Sequence, residues 1–373
     1  MTASTQRVLF RDSLAVVSLT AIAVVLFAVT LFLFRSFEAH RASLAKYWAG
    51  QGQAALLAHQ PDKAVTAYRT ALAYAPGERN DELMLAEALG QAGRLEESFN
   101  YFTGLWESRP GDGLINLDMA RLAAEQQNPQ EAINYYRASI YGTWEGDGVE
   151  RRRTARLELA RYLIQQHQLT QARTELLIAG GNAPDIPDLD VTLGGLLEQA
   201  NALSDALTYY QKAVRDRPRD ADALGRAGRV AYSLGKYQEA RSWLERAVRE
   251  DPGNEKNSAL LAQAERILQL IPGENLPVRE RVNRILAARA IAKQRMSGCP
   301  AVAESLSARW ASPDATANAS ALRTDPDRQK AVLQLAYDTE ITASQQCGAP
   351  TGDDALLLLL ARASSRAEET SHQ

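Results

Sequence analysis

The stretch of sequence from residue 187 to residue 254 decides the fold, because it holds the same 34-residue pattern twice. It reads PDLDVTLGGLLEQANALSDALTYYQKAVRDRPRD from 187 to 220 and ADALGRAGRVAYSLGKYQEARSWLERAVREDPGN from 221 to 254. Both copies have glycine at the eighth place, alanine at the twentieth and proline at the thirty-second. Small residues allow two helices to approach closely, and proline ends a helix because it lacks a backbone donor. Each copy therefore predicts a pair of packed helices followed by a turn.

The same register extends toward the N-terminus and predicts an array of six repeat units. Every unit has alanine or serine at the twentieth place and Tyr, Phe or Leu at the twenty-fourth, where a bulky group fills the space between helix pairs. Proline occupies the thirty-second place in five units, and Trp144 takes it in the third. The register slips by six residues around 144–148, which predicts a solvent-exposed loop insertion. The units start at Ala45, Arg79, Gly113, Arg153, Pro187 and Ala221.

This pattern resembles the tetratricopeptide-repeat family, whose unit is a helix-turn-helix of 34 residues. The resemblance covers residues 45–271, and Trp48 stands at the fourth place of the first unit, where the family often has tryptophan. It implies an all-α solenoid over 45–275, closed by a capping helix over 258–271, since an uncapped end would expose its stacking face.

A helical extension over 276–373 follows the predicted solenoid. Within it the sequence predicts helices over 276–296, 326–344 and 353–363, with a linker-like segment over 312–325.

Residues 14–34 carry no charge, and a helix of 21 residues covers roughly the ~30 Å apolar core of a bilayer. They predict a single transmembrane helix in contact with lipid, between an N-terminal tail over 1–13 and a linker over 35–44. The alternatives are a cleaved signal peptide and a buried core helix, but no small-x-small cleavage site follows the span.

Basic residues flank the span almost evenly, so the charge rule hardly decides its orientation. The short tail and the long remainder favour an N-terminus in the cytoplasm. We therefore expect a single-pass protein of the cytoplasmic (inner) membrane with its bulk on the extracytoplasmic, periplasmic side.

The sequence holds few traces of catalytic chemistry. A net charge of -3 argues against a nucleic-acid partner. The glycine-rich and serine motifs of common enzymes are missing, and the four histidines lack the spacing of metal ligands. Asp185, Asp188 and Asp190 crowd one loop but lack the glycine and distal glutamate of a calcium loop. We therefore predict no catalytic residue, no cofactor and no metal.

Cys299 and Cys347 are the only cysteines. Some membrane-anchored repeat proteins of lipopolysaccharide regulation end in a rubredoxin-like module with paired Cys-x-x-Cys motifs, and this chain has neither pair. An exported C-terminal part predicts a disulfide between the two residues. Two buried reduced thiols are the alternative.

The resemblance also implies where partners bind, because the family places the ninth residue of each first helix on the concave wall. We predict that the side chains at this place contact a partner. Three of them are arginines, Arg121, Arg161 and Arg229, and we expect these to select an acidic peptide or the acidic face of a helix. We expect the arginines to be solvated, so that their replacement by Gln leaves the melting temperature almost unchanged. The arrangement of a chaperone-tail clamp is not found. The predicted partner-binding residues are Gln53, Glu87, Arg121, Arg161 and Arg229.

These features together predict a membrane-anchored scaffold or assembly factor that binds other proteins and is not an enzyme. The alternatives are an accessory chaperone of envelope secretion or biogenesis, and an enzyme with its site in residues 276–373.

Overall fold

The computed structural model describes residues 3–181, 183, 184 and 186–371, and the part described is all-α, with eighteen helices and no named strand. Asp185 of the acidic loop and His372 lie outside the described residues. The helices form two compact modules, which we call the N-terminal module, up to Gln168, and the C-terminal module, from Leu169.

Helix pairs of the predicted repeats build the N-terminal module. Two of the predicted starts, Arg79 and Gly113, are the first residues of their helices. The small residues at the eighth and twentieth places of the second and third units are fully buried, as close helix approach requires. The helices are α1 (Ala3–Leu57), α2 (Pro61–Tyr74), α3 (Arg79–Gln91), α4 (Leu95–Ser108), α5 (Gly113–Glu125), α6 (Pro129–Tyr141) and α7 (Gly148–Gln165).

Helix α1 runs for 55 residues without a break. The segment 35–44, expected as a linker, is helical because it contains no glycine or proline. Large apolar side chains between Val17 and Phe34 are 40–71% exposed. Among the described residues, this is the one helix long and apolar enough to cross a membrane, judged by length and composition.

Two further helix pairs and the capping helix open the C-terminal module. A Cβ atom at Gly194 would overlap the Tyr210 ring, and one at Gly228 would overlap Leu244, so both crossings need a residue without a side chain. The capping helix begins three residues before its predicted start and ends before Pro272. The helices are α8 (Leu169–Gly181), α9 (Pro187–Gln199), α10 (Leu203–Asp216), α11 (Ala221–Ser233), α12 (Tyr237–Glu250) and α13 (Glu255–Leu270).

The extension packs into a bundle that shares a hydrophobic core with Ile267 and Leu270 of α13. The sequence did not predict α15, whose apolar residues Val302, Leu306 and Trp310 are buried at helical spacing. The linker-like segment 312–325 contains the short helix α16, whereas α17 begins at the predicted Pro326. The helices are α14 (Val278–Ser297), α15 (Pro300–Trp310), α16 (Ala319–Thr324), α17 (Pro326–Gln346) and α18 (Gly352–Ser371).

The structure joins Cys299 to Cys347 in a disulfide, with the Cα atoms 5.9 Å apart. The bridge ties the start of α15 to the end of α17. Its presence in the native protein depends on export and stays a prediction.

Candidate functional site

A pocket of about 220 Å³ lies on the wall formed by α3 and α5, with α4 behind it. Its charged groups come from Glu87 on α3 and from Asp118, Arg121 and Glu125 on α5. Apolar side chains, including Phe102 of α4, complete the lining. The pocket therefore contains Glu87 and Arg121, two of the residues predicted to bind a partner.

The Arg121 guanidinium is held by carboxylates of its own module. Its Nε and Nη2 donate to the two oxygens of Glu158 on α7 at 2.9 and 2.7 Å, and its Nη1 donates to Asp118 Oδ1 at 2.9 Å. A bidentate ion pair of this kind fixes the relative geometry of Arg121 and Glu158. The expectation of a freely solvated arginine is therefore wrong for Arg121, although its side chain is 46% exposed.

Asp118 is the buried member of this group, with only 7% of its surface exposed. Its Oδ1 accepts the bond from Arg121, whereas Oδ2 has no hydrogen-bond partner among the residues described. Burial and, to a smaller extent, the charge of Glu87 together raise the pKa of Asp118 to about 7, against the opposing effect of Arg121. Asp118 was not predicted, because it stands at the sixth place of its unit, which is not one of the family's contact places. Asp118 is the one charged residue of the run Leu114–Met119, whose other members are apolar except for Asn116, and this charge was the available signal.

Glu87 faces the same pocket and is half-buried. Burial raises its pKa, and the nearby Arg121 charge lowers it. Within the described ranges we find no hydrogen bond or ion pair made by the Glu87 side chain. It therefore offers an acceptor that the protein itself does not use.

The other predicted residues lie outside this pocket. Gln53 on α1 and Arg161 on α7 are exposed, and the described part of the chain shows no ion pair for Arg161. Arg229, in the C-terminal module, donates from Nε to Glu198 at 3.3 Å. Two of the three arginines are thus paired internally, and Arg161 keeps the property expected of all three.

The loop around Trp144 was predicted to be a solvent-exposed insertion, but the Trp144 side chain packs against the protein. A Cβ atom at Gly113 would overlap the Trp144 ring, whose Nε1 donates to the Ser139 carbonyl at 3.0 Å. The Thr143 backbone pairs with Gly111 and Gly113 at 2.8 and 2.7 Å. Trp144 therefore closes the third unit in the place where other units have proline.

Another buried carboxylate, that of Glu340, lies in the C-terminal module. Glu340 on α17 has no exposed surface, and neither of its carboxylate oxygens has a partner in the described structure. Burial and the Asp354 charge raise its pKa to about 7, against the effect of Arg295. Glu340 is the strongest ionisable candidate for the enzyme alternative, but it is enclosed among helices rather than placed on an accessible wall.

The comparison with known families agrees with the helix pairs described above. The sequence profile of the tetratricopeptide repeat matches residues 83–147, 157–218 and 191–255. These segments are tetratricopeptide repeats. All residues that line the pocket, from Ala86 to Glu125, lie in the first matched segment. No curated protein matches the chain.

Several solved structures of tetratricopeptide-repeat type are similar to parts of this chain. PilF of Pseudomonas aeruginosa is 16% identical, with a TM-score of 0.42, over 60% of this chain and 99% of its own. PilW, described as a type IV pilus biogenesis factor, is 19% identical, with a TM-score of 0.42, over 58% and 98%. YrrB, described as having an unusual peptide-binding site, is 17% identical, with a TM-score of 0.41, over 54% and 99%. These similarities concern the fold alone.

Proposed function

We propose that this chain is a membrane-anchored scaffold or assembly factor whose inner repeat wall holds a partner protein. The observation that carries the proposal is the pocket between α3 and α5, where tetratricopeptide repeats present acceptors that the fold leaves unused. Proteins that place side chains on a helical wall bind a partner segment through such pockets.

The proposed anchor is the exposed apolar part of α1. A soluble protein would bury such a surface, and a bilayer would cover it. Because α1 stays helical from Phe34 to Ala45, a rise of about 1.5 Å per residue places the first repeat roughly 16 Å from the end of the span. We propose the cytoplasmic membrane as the location, with the bulk of the chain exported, which suits a disulfide.

Fractionation tests the anchor. The full chain should stay in the membrane pellet after washing with high salt and alkaline carbonate and should need detergent for release. A chain starting at Glu38 should be soluble and helical. Recovery of the full chain in the salt wash would reject the anchor.

Site-specific photocrosslinking tests the binding wall. A photoreactive phenylalanine analogue at Gln91, an exposed residue that lines the pocket, should give adducts in the native membrane. The same analogue at Asn100, an exposed residue of α4 outside the pocket, serves as the control. One or a few discrete adducts specific to Gln91 are expected for a scaffold. A broad spread of adducts would favour the chaperone alternative, and equal labelling at both positions would reject the wall.

Because Arg121 and Arg229 are paired within the protein, the expected charge of the partner changes. In the N-terminal module an acidic partner would rely on Arg161, because Arg121 is already held by Glu158 and Asp118. We keep Arg161 as the proposed contact for an acidic group.

A further inference from the structure

The pocket between α3 and α5 carries an excess of negative charge. Three carboxyl groups line it, from Glu87, Asp118 and Glu125, against one guanidinium, from Arg121. With every group ionised, three negative charges and one positive charge leave a net charge of -2. The Arg121 guanidinium donates two hydrogen bonds to Glu158, so it does not neutralise Glu87 directly.

Asp118 gives a second and independent sign that a donor is missing. Its side chain is more than nine-tenths buried, it lines the pocket, and its Oδ2 has no partner in the described residues. Buried carboxylate oxygens are normally hydrogen-bonded, because an unpaired acceptor loses its hydration without compensation. A donor from outside the chain would supply the missing bond.

We propose that a lysine or arginine side chain of the partner protein enters this pocket and donates to Glu87 and Asp118. The inference rests on the proposed function, because it names the chemistry of the segment held by the wall. Phe102 and Leu122 offer apolar surface for the methylene stem, while the carboxylates receive the charged head. A metal ion fits less well, since the described residues contain no group of three His, Cys, Asp or Glu suited to one.

The surroundings of Asp118 set the expected pH dependence. Glu87 on α3 and Glu158 on α7 oppose its ionisation, whereas Arg121 on its own helix favours it. Tyr136 on α6 interacts with Arg121 and Glu158, and α4 contributes no titratable group to the pocket lining. Because the pKa of Asp118 is about 7, the pocket gains negative charge between pH 6 and pH 8. A cationic side chain should therefore bind more tightly at the higher pH.

A positional peptide library tests the inference on the full chain in detergent micelles. The probes are acetylated and amidated eleven-residue pools, each with Lys, Arg, Gln, Glu or Leu fixed at one position. We expect the best Lys or Arg pool to bind about tenfold more tightly than the matching Gln pool at pH 8, as a charged hydrogen bond implies. The preference should shrink at pH 6.

Two double variants with the same change in charge separate the pocket from general electrostatics. E87Q/D118N should lose the Lys and Arg preference and its pH dependence while keeping the far-ultraviolet spectrum. E96Q/E107Q changes two exposed carboxylates of α4 and should keep both.

Each outcome has a defined meaning. Retention of the preference by E87Q/D118N, or a wild-type preference for Glu or for no charge, would overturn the inference and leave the scaffold proposal standing. Failure of every pool to bind, together with absent crosslinks at Gln91, would reject the binding wall itself.

Discussion

Replacing Arg121 by Gln tests whether the charge network on the wall stabilises the N-terminal module. The substitution removes two bonds to Glu158 and one to Asp118, and it leaves the Asp118 carboxylate without the one donor that the described residues supply. Hydrogen bonds to charged groups contribute about 1.5–3 kcal/mol when they are buried, but Arg121 is 46% exposed and solvent screens part of this. A net loss of about 2 kcal/mol follows for the free energy of unfolding.

Thermal melting followed by circular dichroism measures this loss on the full chain in detergent. A loss of 2 kcal/mol corresponds to a fall of roughly 4–8 °C for a domain of this size. Arg161→Gln is the matched control, because Arg161 lies on α7 of the same wall, is exposed and shows no ion pair in the described residues. We expect that control to change stability by less than ~0.5 kcal/mol.

The pH dependence follows from the raised pKa of Asp118. The folded protein keeps this proton between the ordinary value of 3.8 and about 7, so the stability contributed by the neutral group is lost as the pH rises through 7. Arg121 limits that loss by pairing with the charged form. The effect of R121Q should therefore be larger at pH 8 than at pH 5. Equal melting temperatures for R121Q and R161Q at pH 8 would refute the reasoning.

Three further experiments test other parts of the structure. Glu340→Gln should stabilise the C-terminal module at pH 8 by up to about 3 kcal/mol and have little effect near pH 4. The reason is that the buried carboxyl of Glu340 loses its proton only as the pH rises through about 7. Urea unfolding at both pH values measures the difference. Peptide mapping without reductant should find Cys299 linked to Cys347 in protein taken from its membrane, and reduction should cost about 4 kcal/mol for a separation of 48 residues. Trp144→Ala should lower stability by about 2 kcal/mol, whereas Ala at the exposed Tyr141 should cost less than half of that in the same melting assay.

The repeat register predicted the helices well because it depends on backbone packing that recurs every 34 residues. Small residues at the eighth and twentieth places, such as Ala86 and Ala132, are buried, since any larger group would separate the two helices. Helix starts at Arg79 and Pro187 follow for the same reason. The extension has no repeat, and α15 was missed because it is a helix of only eleven residues with three buried apolar side chains.

The charge pairs of the wall could not be predicted in the same way. Arg121 and Glu158 are 37 residues apart, and the six-residue slip around the Trp144 loop lies between them. The place of a residue within the repeat unit predicts whether it faces the groove. The residue with which its long side chain forms an ion pair depends instead on the neighbouring helix. The same reason explains why Arg161 and Arg121, both at the ninth place, have different surroundings.

The exceptions to the repeat pattern point to the pocket more directly than the conforming positions do. Ser98 replaces the alanine found at the twentieth place of the other units, and its hydroxyl has to donate to the Ala86 carbonyl at 2.7 Å to be tolerated there. At the sixth place Asp118 is buried, whereas the other units have residues there that are not: Gly50, Met84, Glu158, Thr192 and Arg226. Both exceptions line the pocket between α3 and α5, and a sequence selected for stability alone would favour alanine and an apolar residue there. Glu340 is also a buried carboxylate, but it lies outside the repeats and is enclosed by its bundle. Because a partner can reach a wall and cannot reach a closed core, the polar exceptions of the N-terminal module are the ones that a binding function explains.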